Sequence, residues 1–358
     1  MKKIFLSFFV LASAIVTAQV STESKVVIEK IEALSIKGNS GGEDPARRLT
    51  IYLPPGYESS KDRYPVIYFL HGFASNDEEM MNYLGFKSLM DSAISMGKLR
   101  PAILVLPNSM TKFYGSFYTN SSVAGKWADF IGKDLVNHMD INYRTIPNRG
   151  NRGLFGHSMG GNGALKMAML FPDKFSAVYA MSPGALQFGN DLRLSHPAFK
   201  KVWMQKNMDS LRTSASYQDF EKFPFYEMVF ASLARMYSPN AEEKVLQADL
   251  PIKYVDNKLQ VNMEVLKKWE ANFPINMIDS HIDALKSLTA LKIDWGRNDD
   301  FPHIPLTSLA FSKKLEALGI KHFAEEYIGD HGNMLDGYSG RIFTEVLPFF
   351  EQYLSKGK

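Results

Sequence analysis

The sequence predicts an α/β protein with a mostly parallel sheet flanked by helices. Three observations carry that expectation. Short apolar runs that read as buried strands alternate with helical stretches along most of the chain. One strand and the helix after it are joined by Gly156-His157-Ser158-Met159-Gly160, a G-x-S-x-G turn. The chain has 358 residues, 45% hydrophobic and 22% charged, which is ample for a large core.

The first element is a leader. Lys2-Lys3 is its charged region, residues 4–16 are almost wholly apolar, and Val16-Thr17-Ala18 supplies small residues for cleavage. Residues 1–18 therefore read as a signal peptide, and Gln19 as the new N-terminus of an exported, periplasmic or extracellular protein. The apolar run is short for a membrane span and has no second copy, so stable membrane insertion is not expected.

Residues 19–184 read as the first part of the core. Residues 20–45 are mixed and polar, with a turn at 38–42. Residues 48–53 read as a strand ended by Pro54-Pro55-Gly56. Residues 64–70 form a second, buried strand running into His71-Gly72-Phe73, and residues 101–107 a third. Residues 126–139 read as an amphipathic helix with Trp127, Phe130, Ile131, Leu135 and His138 on one face. The apolar residues 153–155 end a strand at the G-x-S-x-G turn. Residues 164–170 are helical up to Pro172, and residues 175–181 are the next strand.

The rhythm then stops. Residues 185–289 read as a mostly helical insertion without a convincing strand. Met204, Met208, Phe220, Phe223, Phe225, Tyr226, Met228, Phe230, Met236 and Tyr237 crowd its middle. Such a stretch suits a helical cap with an adaptable apolar wall over the sheet's carboxyl edge. Residues 290–358 read as the second part of the core. They offer a strand at 290–295, a helix at 305–318, a last strand at 321–328 and a closing helix at 340–354 that Pro348 is expected to kink.

Composition excludes several chemistries. Net charge is +3, and Lys2 and Lys3 supply two of those charges, so nothing electrostatic points to nucleic acid. With no cysteine there is no disulfide, thiolate or cysteine-ligated metal. There is no H-E-x-x-H, no phosphate-binding loop and no complete dinucleotide fingerprint, so neither metal nor cofactor is inferred.

What remains is nucleophilic catalysis. A tight strand-turn-helix holds its central serine away from the backbone, beside the positive end of the helix. The nucleophile is thus Ser158. A serine hydroxyl needs a base, and in this arrangement acid and histidine follow the serine in chain order. Of eight histidines, His331 alone lies in a Gly-flanked loop after the last strand. His157 adjoins the nucleophile and is expected to point elsewhere, and His303 reads as a pocket or loop residue. The acid comes from the 299–300 loop. Asp299, three residues after Gly296, is preferred over Asp300, and Asp294 reads as structural. The backbone N–H groups of Phe73 and Met159 are the expected oxyanion donors.

Leu70-His71-Gly72-Phe73, Tyr143-Arg144-Thr145, Gly156 to Ala164 and Gly329-Asp330-His331 together resemble the esterase D-like esterases. That α/β-hydrolase family includes feruloyl, acetyl xylan and siderophore esterases, S-formylglutathione hydrolases and antigen 85-like mycolyltransferases. The resemblance covers about residues 45–185 and 290–355 and implies an α/β-hydrolase fold. It also implies a Ser158, Asp299, His331 triad with Phe73 and Met159 as oxyanion hole. The segment 114–121 with Trp127 resembles the family's site lining, so Tyr118, Asn120 and Trp127 become substrate-binding candidates. The implied activity is an exported serine carboxylic-ester hydrolase of the feruloyl-esterase kind. Its substrate would be a small-molecule or polysaccharide-linked ester, such as feruloyl or acetyl esters of plant polysaccharide. Acyl transfer of the mycolyltransferase type and siderophore ester hydrolysis are the alternatives within the family, and a non-catalytic binding protein is the alternative outside it.

Overall fold

The computed structural model describes residues 23–205 and 223–356. The leader expected at 1–18 lies outside them, as do Met208 and Phe220.

The chain begins with β1 (Lys25–Glu32), β2 (Ala46–Leu53), β3 (Val66–Leu70), α1 (Asp77–Tyr83), α2 (Phe86–Ser95) and β4 (Ile103–Pro107). The short hairpin β5 (Asn120–Ser121) and β6 (Gly125–Lys126) leads into α3 (Trp127–Asp129). A π-helical stretch, Phe130–Leu135, joins α3 to α4 (Val136–Asn142). Next come β7 (Arg152–His157), α5 (Met159–Leu170) and β8 (Ala177–Met181), then α6 (Pro197–Met204) and α7 (Phe225–Tyr237). A hairpin of β9 (Ile252–Val255) and β10 (Lys258–Val261) precedes α8 (Met263–Asn272), α9 (Pro274–Met277) and α10 (Ile282–Lys286). The chain closes with β11 (Ala290–Gly296), α11 (His303–Ala317), β12 (Phe323–Tyr327) and α12 (Leu347–Tyr353).

Eight strands form one sheet in the order β1-β2-β4-β3-β7-β8-β11-β12. β1 and β2 are antiparallel to their neighbours, and the other pairings are parallel. Parallel strands covered on both faces have no solvent side, which is why β3, β4 and β8 are apolar at almost every position. Alternate residues serve two cores. Val66, Tyr68 and Leu70 pack with α5 residues on one face, while Ile67 and Phe69 pack with Phe86 and Phe350 on the other. α5 is buried over every residue but its last, so it shows little amphipathic contrast. Register places Leu70 beside Gly156, His157 beside Met181, Met181 beside Asp294, and Gly296 beside Tyr327. The loops leaving β3, β7, β8, β11 and β12 therefore emerge side by side at the carboxyl edge.

The structure departs from the sequence reading in several places. β1 lies within the stretch that reads as mixed and polar; it is an edge strand, and most of its residues are exposed or half-buried. α1 and α2 fill a stretch assigned no element. α1 is capped by Asn76, whose side chain accepts from the Glu79 N–H at 3.0 Å. The 185–289 region contains a strand pair after all. β9 and β10 are joined by Asp256 and Asn257 at φ 49° and 60°, the left-handed pair that a two-residue hairpin requires. Pro348 falls in the first turn of α12, after the π-helical stretch Ile342–Val346, so the missing N–H is absorbed by a widened turn. Asp294, by contrast, is structural as the sequence suggests: it is buried and accepts from the Tyr179 hydroxyl and from Arg341 at 2.7 and 2.6 Å. Among the described residues no helix is long and apolar enough to cross a membrane.

Candidate active site

Ser158 lies between the last residue of β7 and the first of α5, at φ 59° and ψ −119°. For a non-glycine residue this conformation costs about 1–3 kcal/mol and persists only where surroundings impose it. They do so here. A Cβ at Gly160 would collide with the Leu70 carbonyl at the end of β3, and one at Gly156 would collide with the Gly160 backbone. The Ser158 N–H donates to Met181 O at 3.0 Å, and its carbonyl accepts from Gly184 N–H at 3.0 Å. Asn162, one turn into α5, donates through Nδ2 to Gly184 O and Ala185 O, both at 2.9 Å. The loop after β8 is thereby tied to the Ser158 turn.

His331 follows β12. Its Nδ1 lies 2.8 Å from Asp299 Oδ2, and the Asp299 side chain is completely buried. The other Asp299 oxygen accepts from Phe301 N–H at 2.9 Å. Asp300 is exposed. Asp330 does not face His331; its carboxylate accepts from the Gly332 and Asn333 amides and so shapes the turn that carries the imidazole. The Phe301 ring meets the His331 ring edge-on at 4.8 Å. Among the described residues no hydrogen bond reaches Ser158 Oγ or His331 Nε2. Both residues line one cavity of about 280 Å³.

His157 does not point away, contrary to the expectation from its position. It lines the same cavity, its ring lies 4.5 Å from that of His331, and its Nε2–H donates to His331 O at 2.7 Å. Burial, and secondarily the neighbouring His331, push its pKa down to about 3, so it stays neutral and holds the loop by a hydrogen bond.

Phe73 lines both cavities that Ser158 lines, and Met159 follows Ser158 as the first residue of α5. The turn bearing Phe73 is held by a residue that sequence reading set aside. His71 accepts from Ser109 N–H at Nε2 (2.9 Å), so its proton sits on Nδ1, which donates to Gly72 O at 2.8 Å. Burial lowers its pKa to about 4.

The three substrate-binding candidates lie elsewhere. Tyr118 is fully buried and donates its hydroxyl to His71 O at 2.9 Å, so it braces the Phe73 turn from behind. Trp127 is fully buried in the core and donates to Ala124 O. Asn120 is exposed and pairs with Asp129. Among the described residues, none of the three lines either cavity at Ser158. Of the segment 114–121, Phe117 does.

A second acid–histidine pair went unread in the sequence. His303, at the start of α11, places Nδ1 2.8 Å from Asp191 Oδ2, and its Nε2 accepts from Ala185 N–H at 3.2 Å. The His303 backbone N–H and the Tyr226 hydroxyl also donate to Asp191, at 2.7 and 2.6 Å. Burial alone would raise the Asp191 carboxyl, but these donors outweigh it and hold it below the usual carboxylate range. The proximity of His303 to Asp299 in sequence was visible; its partner, 112 residues away, was not. Among the described residues no group of three or more His, Asp or Glu side chains is arranged to hold a metal ion.

Comparison with known proteins bears on this geometry. Residues 44–333 match the Esterase family, described as "Putative esterase". An endo-1,4-beta-xylanase/feruloyl esterase of Xylanibacter ruminicola is 28% identical over 138 residues, which is 37% of this chain and 19% of that protein. An S-formylglutathione hydrolase of Paracoccus denitrificans is 30% identical over 144 residues, 38% of this chain and 51% of that one. The chain thus spans from about a fifth to about half of the length of these relatives. In fold it is similar to a solved ferulic acid esterase with a TM-score of 0.61 at 18% identity, covering 93% of this chain and 100% of that one.

Proposed function

The chain belongs to the Esterase family, and we propose that it is an exported serine carboxylic-ester hydrolase with Ser158 as nucleophile, His331 as base and Asp299 as the orienting acid. The observation that carries this reading is the 2.8 Å contact of His331 Nδ1 with the buried Asp299 carboxylate, with the imidazole and Ser158 on one cavity wall. Asp299 fixes Nδ1–H, which leaves Nε2 unprotonated. Ser158 Oγ attacks the ester carbonyl carbon as its proton passes to Nε2. The oxyanion is held by the Phe73 and Met159 amides, and Met159 adds the positive end of α5. The bond to the alcohol oxygen breaks, and that oxygen takes the proton from Nε2. Water then attacks the acyl-enzyme and gives a proton to His331, which returns it to Ser158 as the acid leaves.

Residues 185–289 act as a cap. Leu192, Phe225, Tyr226 and Val229 come from it and line a cavity at Ser158, which supports that role. Residues 1–18 act as the export signal. The substrate class is feruloyl or acetyl esters of plant polysaccharide, a reading that the xylanase-linked relative favours. The test is turnover of p-nitrophenyl acetate, butyrate and octanoate beside methyl ferulate, with Ser158→Ala as control. Serine-dependent hydrolysis of any of them is expected. Turnover that survives in Ser158→Ala would overturn the reading.

A further inference from the structure

Among the described residues, two cavities meet at Ser158. The larger, about 280 Å³, is lined by His157, His331, Gly332 and Leu335 on the base side and by Met80 and Leu84 of the α1 end. The smaller, about 40 Å³, is lined by Met159, Gly184, Ala185, Leu192, Val229 and His303. Phe73, Phe225 and Phe301 border both. Phe225 stacks on Phe301 at 5.0 Å and 22°, and meets Phe73 edge-on at 5.7 Å. These three rings form the wall between the cavities. The smaller one reaches Ser158 past Gly184. A Cβ there would lie 3.8 Å from Ser158 Oγ and 3.9 Å from His303 Nε2.

The chemistry assigns the two halves of an ester to the two cavities. His331 must protonate the alcohol oxygen as it leaves, so the alcohol has to lie on the side that His331 borders. His331 borders the larger cavity and not the smaller. The oxyanion is directed to the Phe73 and Met159 amides. The acyl chain is left with the direction toward Gly184. One water-sized group needs about 10–15 Å³ by this measure, so the smaller cavity has room for about three such groups. By volume an acetyl, propionyl or butyryl group matches this space, whereas a phenylpropenoyl chain is much larger than it.

We propose that the enzyme cleaves short-acyl esters of bulky alcohols that present an apolar face, and that Phe225 sets this polarity by walling off the acyl side. This rests on the hydrolase reading above and selects its acetyl arm over its feruloyl one. A pair of isomeric esters tests it. Benzyl acetate carries its ring on the alcohol; methyl phenylacetate carries the same ring on the acyl group. kcat/KM for each is divided by its hydroxide-catalysed rate. The chain should prefer benzyl acetate by at least about tenfold, since the ring of the other isomer is excluded from the smaller cavity. Phe225→Ala should join the two spaces and raise turnover of methyl phenylacetate at least about tenfold relative to benzyl acetate.

Equal rates in the wild type, or preference for methyl phenylacetate, would overturn the assignment without touching the hydrolase reading, provided p-nitrophenyl acetate turnover disappears in Ser158→Ala. If that turnover persists in Ser158→Ala, the hydrolase reading falls and the acyl assignment falls with it. The wild-type ratio does not depend on Phe225→Ala folding.

Discussion

Two aspartate–histidine pairs lie near Ser158, and they differ in what the second ring nitrogen meets. In both, Nδ1 sits 2.8 Å from a carboxylate that other donors also hold. In the Asp299–His331 pair, Nε2 is free of protein partners among the described residues and borders the larger cavity. In the Asp191–His303 pair, Nε2 already accepts from Ala185 N–H. An imidazole nitrogen has one in-plane lone pair, so an occupied Nε2 cannot also take the serine proton. On the proposed mechanism the first pair moves a proton. The second is built to hold a loop, since Ala185 follows Gly184, whose N–H grips the Ser158 carbonyl. A carboxylate beside a histidine near a serine does not define a base; the state of the far nitrogen does.

That contrast can be broken by substitution. The largest effect should come from Ser158→Ala, which removes the proposed nucleophile. A kcat loss on the order of 10⁶ is expected, with unchanged circular dichroism; activity within tenfold of wild type would end the mechanism. Asp299→Asn should lower kcat on the order of 10⁴ by favouring the wrong imidazole tautomer. Asp300→Asn, at an exposed side chain, should change kcat by less than about threefold. If the two substitutions exchange effects, the acid has been misassigned.

The supporting histidines should show themselves in acid. Folding lowers the His71 pKa from about 6.5 to about 4. The unfolded chain therefore binds the extra proton first, so stability is full above pH 6.5 and is lost as pH falls toward 4. The integrated loss is about 3 kcal/mol between pH 7.5 and 4. His157 has the same sign and extends the loss toward pH 3. Urea unfolding across this range should show a shallower acid decline in His71→Gln than in wild type; parallel curves would contradict the assignment.

His303→Ala should cost less than His331→Ala, about 10–100-fold in kcat, because it frees the Ala185 amide rather than removing the base. His303→Gln, which can still accept from that amide, should recover part of the loss. The acid limb of the kcat/KM profile, set by the group that takes the serine proton, should not move in either variant. A displaced limb, or a loss equal to that of His331→Ala, would make the two pairs equivalent.

The same difference explains what could be read from the sequence. The Ser158 turn and the His331 loop are short-range patterns: glycines forced by close approach, apolar runs ended by loops, a histidine after the last strand. The parallel sheet was legible for the same reason, because strands buried on both faces are continuous apolar words. Asp299 and Asp300 are neighbours with equal chemistry, and only burial separates them. His71, Asn162 and the Asp191–His303 pair act through contacts with backbone groups or with residues far along the chain, which no local pattern records. Tyr118 and Trp127 were read as pocket lining from a resemblance, whereas their rings fill the layer behind the Phe73 turn and the core. The β9–β10 hairpin was missed because its strands are four residues each and largely solvent-facing, although Asp256-Asn257 between them is a legible turn.

The most direct measurement is peptide mapping of the chain after rapid acid quenching during p-nitrophenyl acetate turnover, using Asp299→Asn to slow deacylation. The account predicts one acetyl group on the peptide containing Ser158, absent in Ser158→Ala. Acetyl on another residue, or hydrolysis with no covalent acyl-enzyme in either form, would contradict it.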